Sequence, residues 1–134
     1  MTILANPAKA DAAVWTGRVL SALVVLFLLM DAGMKFSNLP IVASTGGQLG
    51  WAADTARPLG VTLLICTLLY VWPRTAVLGA VLLTAYLGGA VATHVRVGSP
   101  LFSHVLFGVY LGLFVWGGLY LRDASLRALF PIRR

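Results

Sequence analysis

From Thr75 to Val95 the chain runs for 21 residues without an Asp, Glu, Lys or Arg. About 20 apolar residues wound as a helix cross the hydrocarbon of a bilayer. The run follows Pro73 and Arg74, carries the small-residue stripe Ala85, Gly88, Gly89 and Ala92, and closes on His94 and Arg96. Three more runs resemble it: Val14 to Phe36, the short Pro58 to Trp72, and Val97 to Leu121. A soluble bundle would break such runs with a polar face every turn or two. Only 10% of the residues are charged and 60% are hydrophobic, against about 25% charged in soluble domains. The sequence therefore predicts an all-α membrane protein, an antiparallel four-helix transmembrane bundle.

The links set the topology. Ser37 to Arg57 is long and contains Pro40 and Gly46-Gly47. It reads as a loop with a short helix around Leu49 to Thr55. Pro73-Arg74 and Gly98-Ser99-Pro100 are tight links, which force antiparallel neighbours. The expected organisation is a flexible N-terminal tail at residues 1–13 and a bundle at 14–121. Its spans fall at about 14–36, 58–72, 75–95 and 101–121, and a basic tail follows at 122–134. Lys9, Arg18, Arg74, Arg122, Arg127, Arg133 and Arg134 then share one side, against Lys35, Arg57 and Arg96 on the other. Excess Lys and Arg marks the cytoplasmic side, so both termini are expected to be cytoplasmic. The net charge of +6 is explained by this flanking pattern and not by a nucleic-acid-binding patch. The basic, partly apolar tail is expected against anionic headgroups. The single cysteine, Cys66, lies inside an apolar run, which excludes an intramolecular dithiol cycle. No signal peptide is evident.

This threading gathers ionisable residues at the outer end. Asp31 and Lys35 close the first span, His94 and Arg96 close the third, and His104 lies one turn into the fourth. Asp31 stands 13 residues after Arg18, about 20 Å along a helix, so it needs a partner within the hydrocarbon. Lys35, one turn on, is the nearest. His104, Gly108 and Gly112 repeat every four residues, a small-residue face that turns His104 into the bundle. His94 and Arg96 point to different faces, with headgroup anchoring an alternative role for Arg96. Trp15, Trp51, Trp72 and Trp116, with Tyr70 and Tyr120, read as interfacial belt residues. Tyr86 lies at mid-span, where its hydroxyl needs a partner. The histidines lack the spacing of a metal motif such as HExxH, so no metal site is assigned.

The stretch PRTAVLGAVLLTAYLGGAVATHVRVGSP, residues 73–100, resembles the signature of the DoxX-like family of small bacterial membrane proteins. The likeness continues through WGGLYLRDASLRALFP, residues 116–131, and DAGMKF, residues 31–36. The resemblance implies a four-span bundle in the bacterial cytoplasmic membrane. Relatives have been linked to thiosulfate:quinone oxidoreduction and to redox-stress complexes. Many relatives have Gly where this chain has Ala85, and many carry an acidic residue in the second span, which Val61 to Leu64 lack. A mechanism that requires that carboxylate does not carry over.

The functional expectation is a pocket at the outer end, polar at its mouth and apolar below, that takes a lipophilic molecule such as a quinone or isoprenoid. Asp31, Lys35, His94, Arg96, His104 and Tyr86 are its candidate lining residues. Two alternatives stay open. One is an isomerase- or cyclase-type enzyme using Asp31 and His104 in acid–base chemistry. The other is a structural or assembly subunit, self-associating or docked in a membrane complex, with Gly117-Gly118 or the outer face of the third span as contact.

Overall fold

The computed structural model describes residues 7–129 except 38 and 53. Its elements are α1 (Pro7–Phe36), α2 (Pro40–Gln48), α3 (Ala56–Val71), α4 (Ala76–Arg96), a π turn (Leu101–Val105), α5 (Phe107–Arg122) and α6 (Ala124–Leu129). The described residues contain no strand. Three segments, Asp11–Phe36, Ala76–Arg96 and Leu101–Arg122, are long and apolar enough to cross a membrane. The fourth apolar helix, α3, has 16 residues and rises about 24 Å.

These four apolar helices close a ring in which α1 packs on α3 and α5, and α4 packs on α3 and α5. Each contributes a stripe at helical spacing. On α1 the buried positions are Gly17, Ser21, Val24, Leu28 and Ala32; on α4 they are Ala76, Gly79, Ala80, Leu83 and Leu87. The remaining faces are apolar and outward. Leu26, Phe102 and Leu113 are each about two-thirds exposed or more. In water such a surface would aggregate; in hydrocarbon it is the solvent-matched side.

Glycine sets the approach at every seam of the ring. A Cβ on Gly60 of α3 would lie 2.9 Å from the Ala32 carbonyl oxygen of α1, and one on Gly79 of α4 would lie 2.2 Å from the Tyr70 nitrogen of α3. One on Gly108 of α5 would lie 3.1 Å from the Leu87 carbonyl oxygen of α4. Gly17 of α1 and Gly118 of α5 face each other, each without room for a methyl group. Because lipid supplies no hydrophobic drive between helices, such close backbone contact is how they hold together.

Several boundaries depart from the sequence expectation. Residues 7–13, read as part of a flexible tail, are the first turns of α1. Residues 124–129 of the basic tail form α6, capped where Asp123 Oδ1 accepts from the Ser125 and Leu126 amides at 2.9 and 3.3 Å; residues 1–6 and 130–134 lie outside the described residues. The short helix in the first long link is not at Leu49 to Thr55. It is α2, which starts on Pro40, favoured at the first helical position because its missing amide would have no helical partner there. Gly46-Gly47 lie inside it, and Gly50, at φ +82°, follows its end.

Candidate functional site: two polar clusters

Asp31 and Lys35, one turn apart on α1, form an ion pair, and Lys35 Nζ also donates to the Tyr86 hydroxyl of α4 at 3.2 Å. The ammonium lies 5.5 Å from the centre of the Tyr86 ring. This is the only ion pair among the described residues. Lys35 and Asp31 side chains keep 23% and 34% of their surface, so the pair is neither sealed nor fully open. The cluster spans the ring from α1 to α4, helices that are otherwise diagonal. The sequence expectation that Lys35 would partner Asp31 holds. Tyr86 was among the candidate lining residues, but its bond to Lys35 was not legible, since nothing local links residues 51 positions apart.

The histidines form a second cluster. The His94 and His104 rings meet edge to face with centres 5.8 Å apart. His94 Nδ1 is 2.9 Å from Ser99 Oγ, and His104 Nδ1 is 2.7 Å from Ser103 Oγ. Tyr86 and His94 are eight residues apart on α4, about 12 Å of rise. The expected single polar mouth is thus two clusters strung along the loop end of the bundle.

His104 does not turn into the bundle as its spacing to Gly108 and Gly112 suggested; it is exposed. The cause is the π turn. Val105 and Leu106 amides bond to the carbonyls of Pro100 and Leu101, five residues back, at 3.1 and 2.9 Å. A five-residue step inserts one residue relative to an α-turn, so Val105 takes the buried position instead. Gly108 packs as expected, whereas nothing approaches Gly112. The α4 stripe is also reassigned: Ala85, Gly88, Gly89 and Ala92 are exposed, and no neighbour comes near the two glycines.

Arg96 stands apart from both clusters. Its Nη2 donates to the Leu49 carbonyl at 3.1 Å and occupies the space a Cβ on Gly50 would need. It fastens the end of α2 to the end of α4. Trp116, read as a belt residue, donates its indole N–H to Thr84 Oγ1 at 2.6 Å and ties α5 to α4.

At the opposite end lies a polar relay that the sequence did not reveal. Tyr70, read as a belt residue, is instead fully buried on α3, where it donates to the Val115 carbonyl of α5 at 2.7 Å. With that proton committed, its oxygen accepts from Ser21 Oγ at 2.8 Å, and Ser21 in turn accepts from Arg122 Nε at 3.1 Å. Beside it lies an open cleft of about 250 Å³ lined by Arg18, Ser21, Ala22, Val25, Tyr70, Val71 and Arg122. A second, apolar groove of about 350 Å³ is lined by Leu20, Tyr110, Leu113 and Phe114. The described residues hold no group of three or more His, Cys, Asp or Glu suited to a metal.

Long outward-facing apolar helices around a glycine-seated core, with a partnered acid and base between them, define a small helical integral membrane protein. The family model of the DoxX-like family matches residues 19–118, and the chain belongs to that family. Comparison with curated proteins and with solved structures finds no match.

Proposed function

We propose that this protein binds a lipophilic molecule bearing a carbonyl or comparable oxygen, such as a quinone or an oxygenated isoprenoid, at the Asp31–Lys35–Tyr86 cluster. The observation that carries this reading is the donor count. Lys35 has three N–H groups and uses two, on Asp31 and Tyr86. Tyr86 accepts from Lys35, which leaves its own O–H to donate. One ammonium proton and one phenol proton therefore remain beside each other, a matched pair for a single acceptor oxygen. Asp31 holds the ammonium in place and keeps the positive charge tolerable between apolar helices. His94 and His104 would border the approach from the loop end.

The test is binding of a decyl-substituted benzoquinone to the purified chain in nanodiscs. Tyr86→Phe leaves the ion pair intact and removes one donor; Lys35→Met removes the other. Lys35→Met is expected to weaken binding about tenfold, the worth of a hydrogen bond from a charged group, and Tyr86→Phe about fivefold, that of a neutral one. Unchanged affinity in both variants refutes the site.

The reading places the chain in the bacterial cytoplasmic membrane with both termini cytoplasmic, supported by the arginines and lysine at the terminal end of the bundle. A second reading is self-association through α4. It is favoured by the exposed Ala85, Gly88, Gly89 and Ala92 face, the kind of surface on which membrane helices pair. Ala92→Cys should then crosslink to a second copy in membranes, whereas Leu113→Cys on α5 should not; equal crosslinking would discard it.

A further inference from the structure

The cleft at the terminal end lies between α1, α3 and α5 and carries a different chemistry from the carbonyl site. Arg18 and Arg122 both line it, and neither is ion-paired among the described residues. The acid nearest in sequence to Arg122 is Asp123, whose Oδ1 is committed to the start of α6. Arg122 is held in orientation: Nε donates to Ser21 Oγ, and the guanidinium carbon lies 5.4 Å from the centre of the Tyr70 ring. That leaves its four terminal N–H groups, in the planar fork that suits a phosphate. Arg18 lies over Trp15 at 5.8 Å, an aromatic at the same helix end. The rest of the lining is apolar, with Ala22 and Val25 one and two turns further along α1 than Arg18, and Val71 at the end of α3.

We infer that this cleft binds the phosphate of an anionic phospholipid, with Arg18 and Arg122 on the phosphate and the first part of an acyl chain along Ala22, Val25 and Val71. Basic pockets between membrane helices select anionic headgroups in this way. The gradient from cationic to apolar over one cleft fits a lipid better than a free anion, which has no use for the apolar part. The polar relay through Ser21 and Tyr70 acquires a role here, since it fixes the guanidinium that faces the headgroup. The site acts as a fastening to one class of lipid, independent of any ligand at Lys35.

The experiment uses the full chain in detergent micelles supplemented with phosphatidylglycerol, phosphatidylcholine, or phosphatidylcholine plus soluble glycerol phosphate. Thermal stability and lipid adducts in native mass spectrometry are the readouts. Phosphatidylglycerol should raise Tm above phosphatidylcholine and persist as a one-to-one adduct. Arg18→Gln, an exposed residue whose loss spares the core, should weaken retention about fivefold, the value of one arginine at an anionic surface. Arg122→Lys should weaken it too, because an ammonium lacks the fork. Arg74→Gln, a cation at the same end but outside the cleft, should not. The inference fails if Arg74→Gln costs as much as Arg18→Gln, which would mean undirected surface charge. It also fails if soluble glycerol phosphate reproduces the stabilisation, which would mean a free-anion site.

Discussion

Tyr70 has no exposed surface, yet it carries a hydroxyl into a core of Leu, Val and Ala. Its oxygen is satisfied twice, by the Val115 carbonyl and by Ser21. A buried hydroxyl so engaged contributes through what its loss leaves behind: Tyr70→Phe strands an acceptor on Val115 and a donor on Ser21. The expected cost is about 1–3 kcal/mol, read as lower resistance to unfolding by denaturant in micelles. Thr67, the other fully buried hydroxyl, answers only to Leu63 one turn back on its own helix, at 2.7 Å. Thr67→Val is isosteric, removes no contact between helices, and should cost under about 1 kcal/mol. At the proposed Asp31–Lys35–Tyr86 site, Asp31→Asn should reduce quinone affinity less than Lys35→Met, since the neutral amide still accepts from Lys35. Equal losses would show that the carboxylate charge itself touches the ligand. Asp31 and Lys35 were legible as a pair because a helix places residues i and i+4 side by side. Tyr70, Ser21 and Arg122 were not, because their meeting depends on how α1, α3 and α5 cross, and no spacing along one helix records that.

At the scale of elements, the glycines separate into those that seat a neighbouring helix and those that do not. Gly79→Ala should be severely disruptive, because the new methyl would lie 2.2 Å from backbone nitrogen and no side chain can yield. Gly88→Ala meets nothing within 4 Å and should be neutral or stabilising by up to about 1 kcal/mol, the helix-propensity difference. Thermal unfolding of the two variants in detergent checks both. The sequence marked Gly88 and Gly89 as packing residues, and this is where reading from composition failed. A small residue permits close approach but does not say which face of the helix is used. In α4 the seam follows Ala76, Gly79, Ala80, Leu83 and Leu87, a stripe of mixed size whose period was visible but whose partner was not. The π turn is the second failure. It follows Pro100 and carries no residue that marks a five-residue step. Deleting Phe102, which is 74% exposed, should restore an α-turn and separate the His94 and His104 rings. Imidazole NMR shifts of the deletion variant, unchanged if the turn is not the cause, provide the measurement.

For the molecule as a whole, the apolar runs located the four main helices because length and hydrophobicity are local quantities, although α1 begins seven residues before its run, at Pro7 in place of Val14. Their order around the ring followed from tight links at Pro73-Arg74 and Gly98-Pro100. Orientation in the bilayer rests on the charge asymmetry alone. A reporter that fluoresces only in the cytoplasm, fused to the C-terminus, should be bright, and a periplasmic reporter inserted between Gly46 and Gly47 should be active. The reverse pattern would invert the topology and put the Arg18–Arg122 cleft in the other leaflet. The glycine seams have a mechanical corollary. A seam of side chains can slip by changing rotamers, whereas backbone resting on backbone has no rotamers to change. The four crossings therefore behave as pins, and the ring has little freedom to dilate. Compliance is left to what the pins do not hold: α2, which buries no residue and is fastened to α4 by one arginine on one carbonyl. Amide exchange should be fastest there and slowest where Gly79 meets Tyr70, a contrast set by stiffness and not by hydrophobicity.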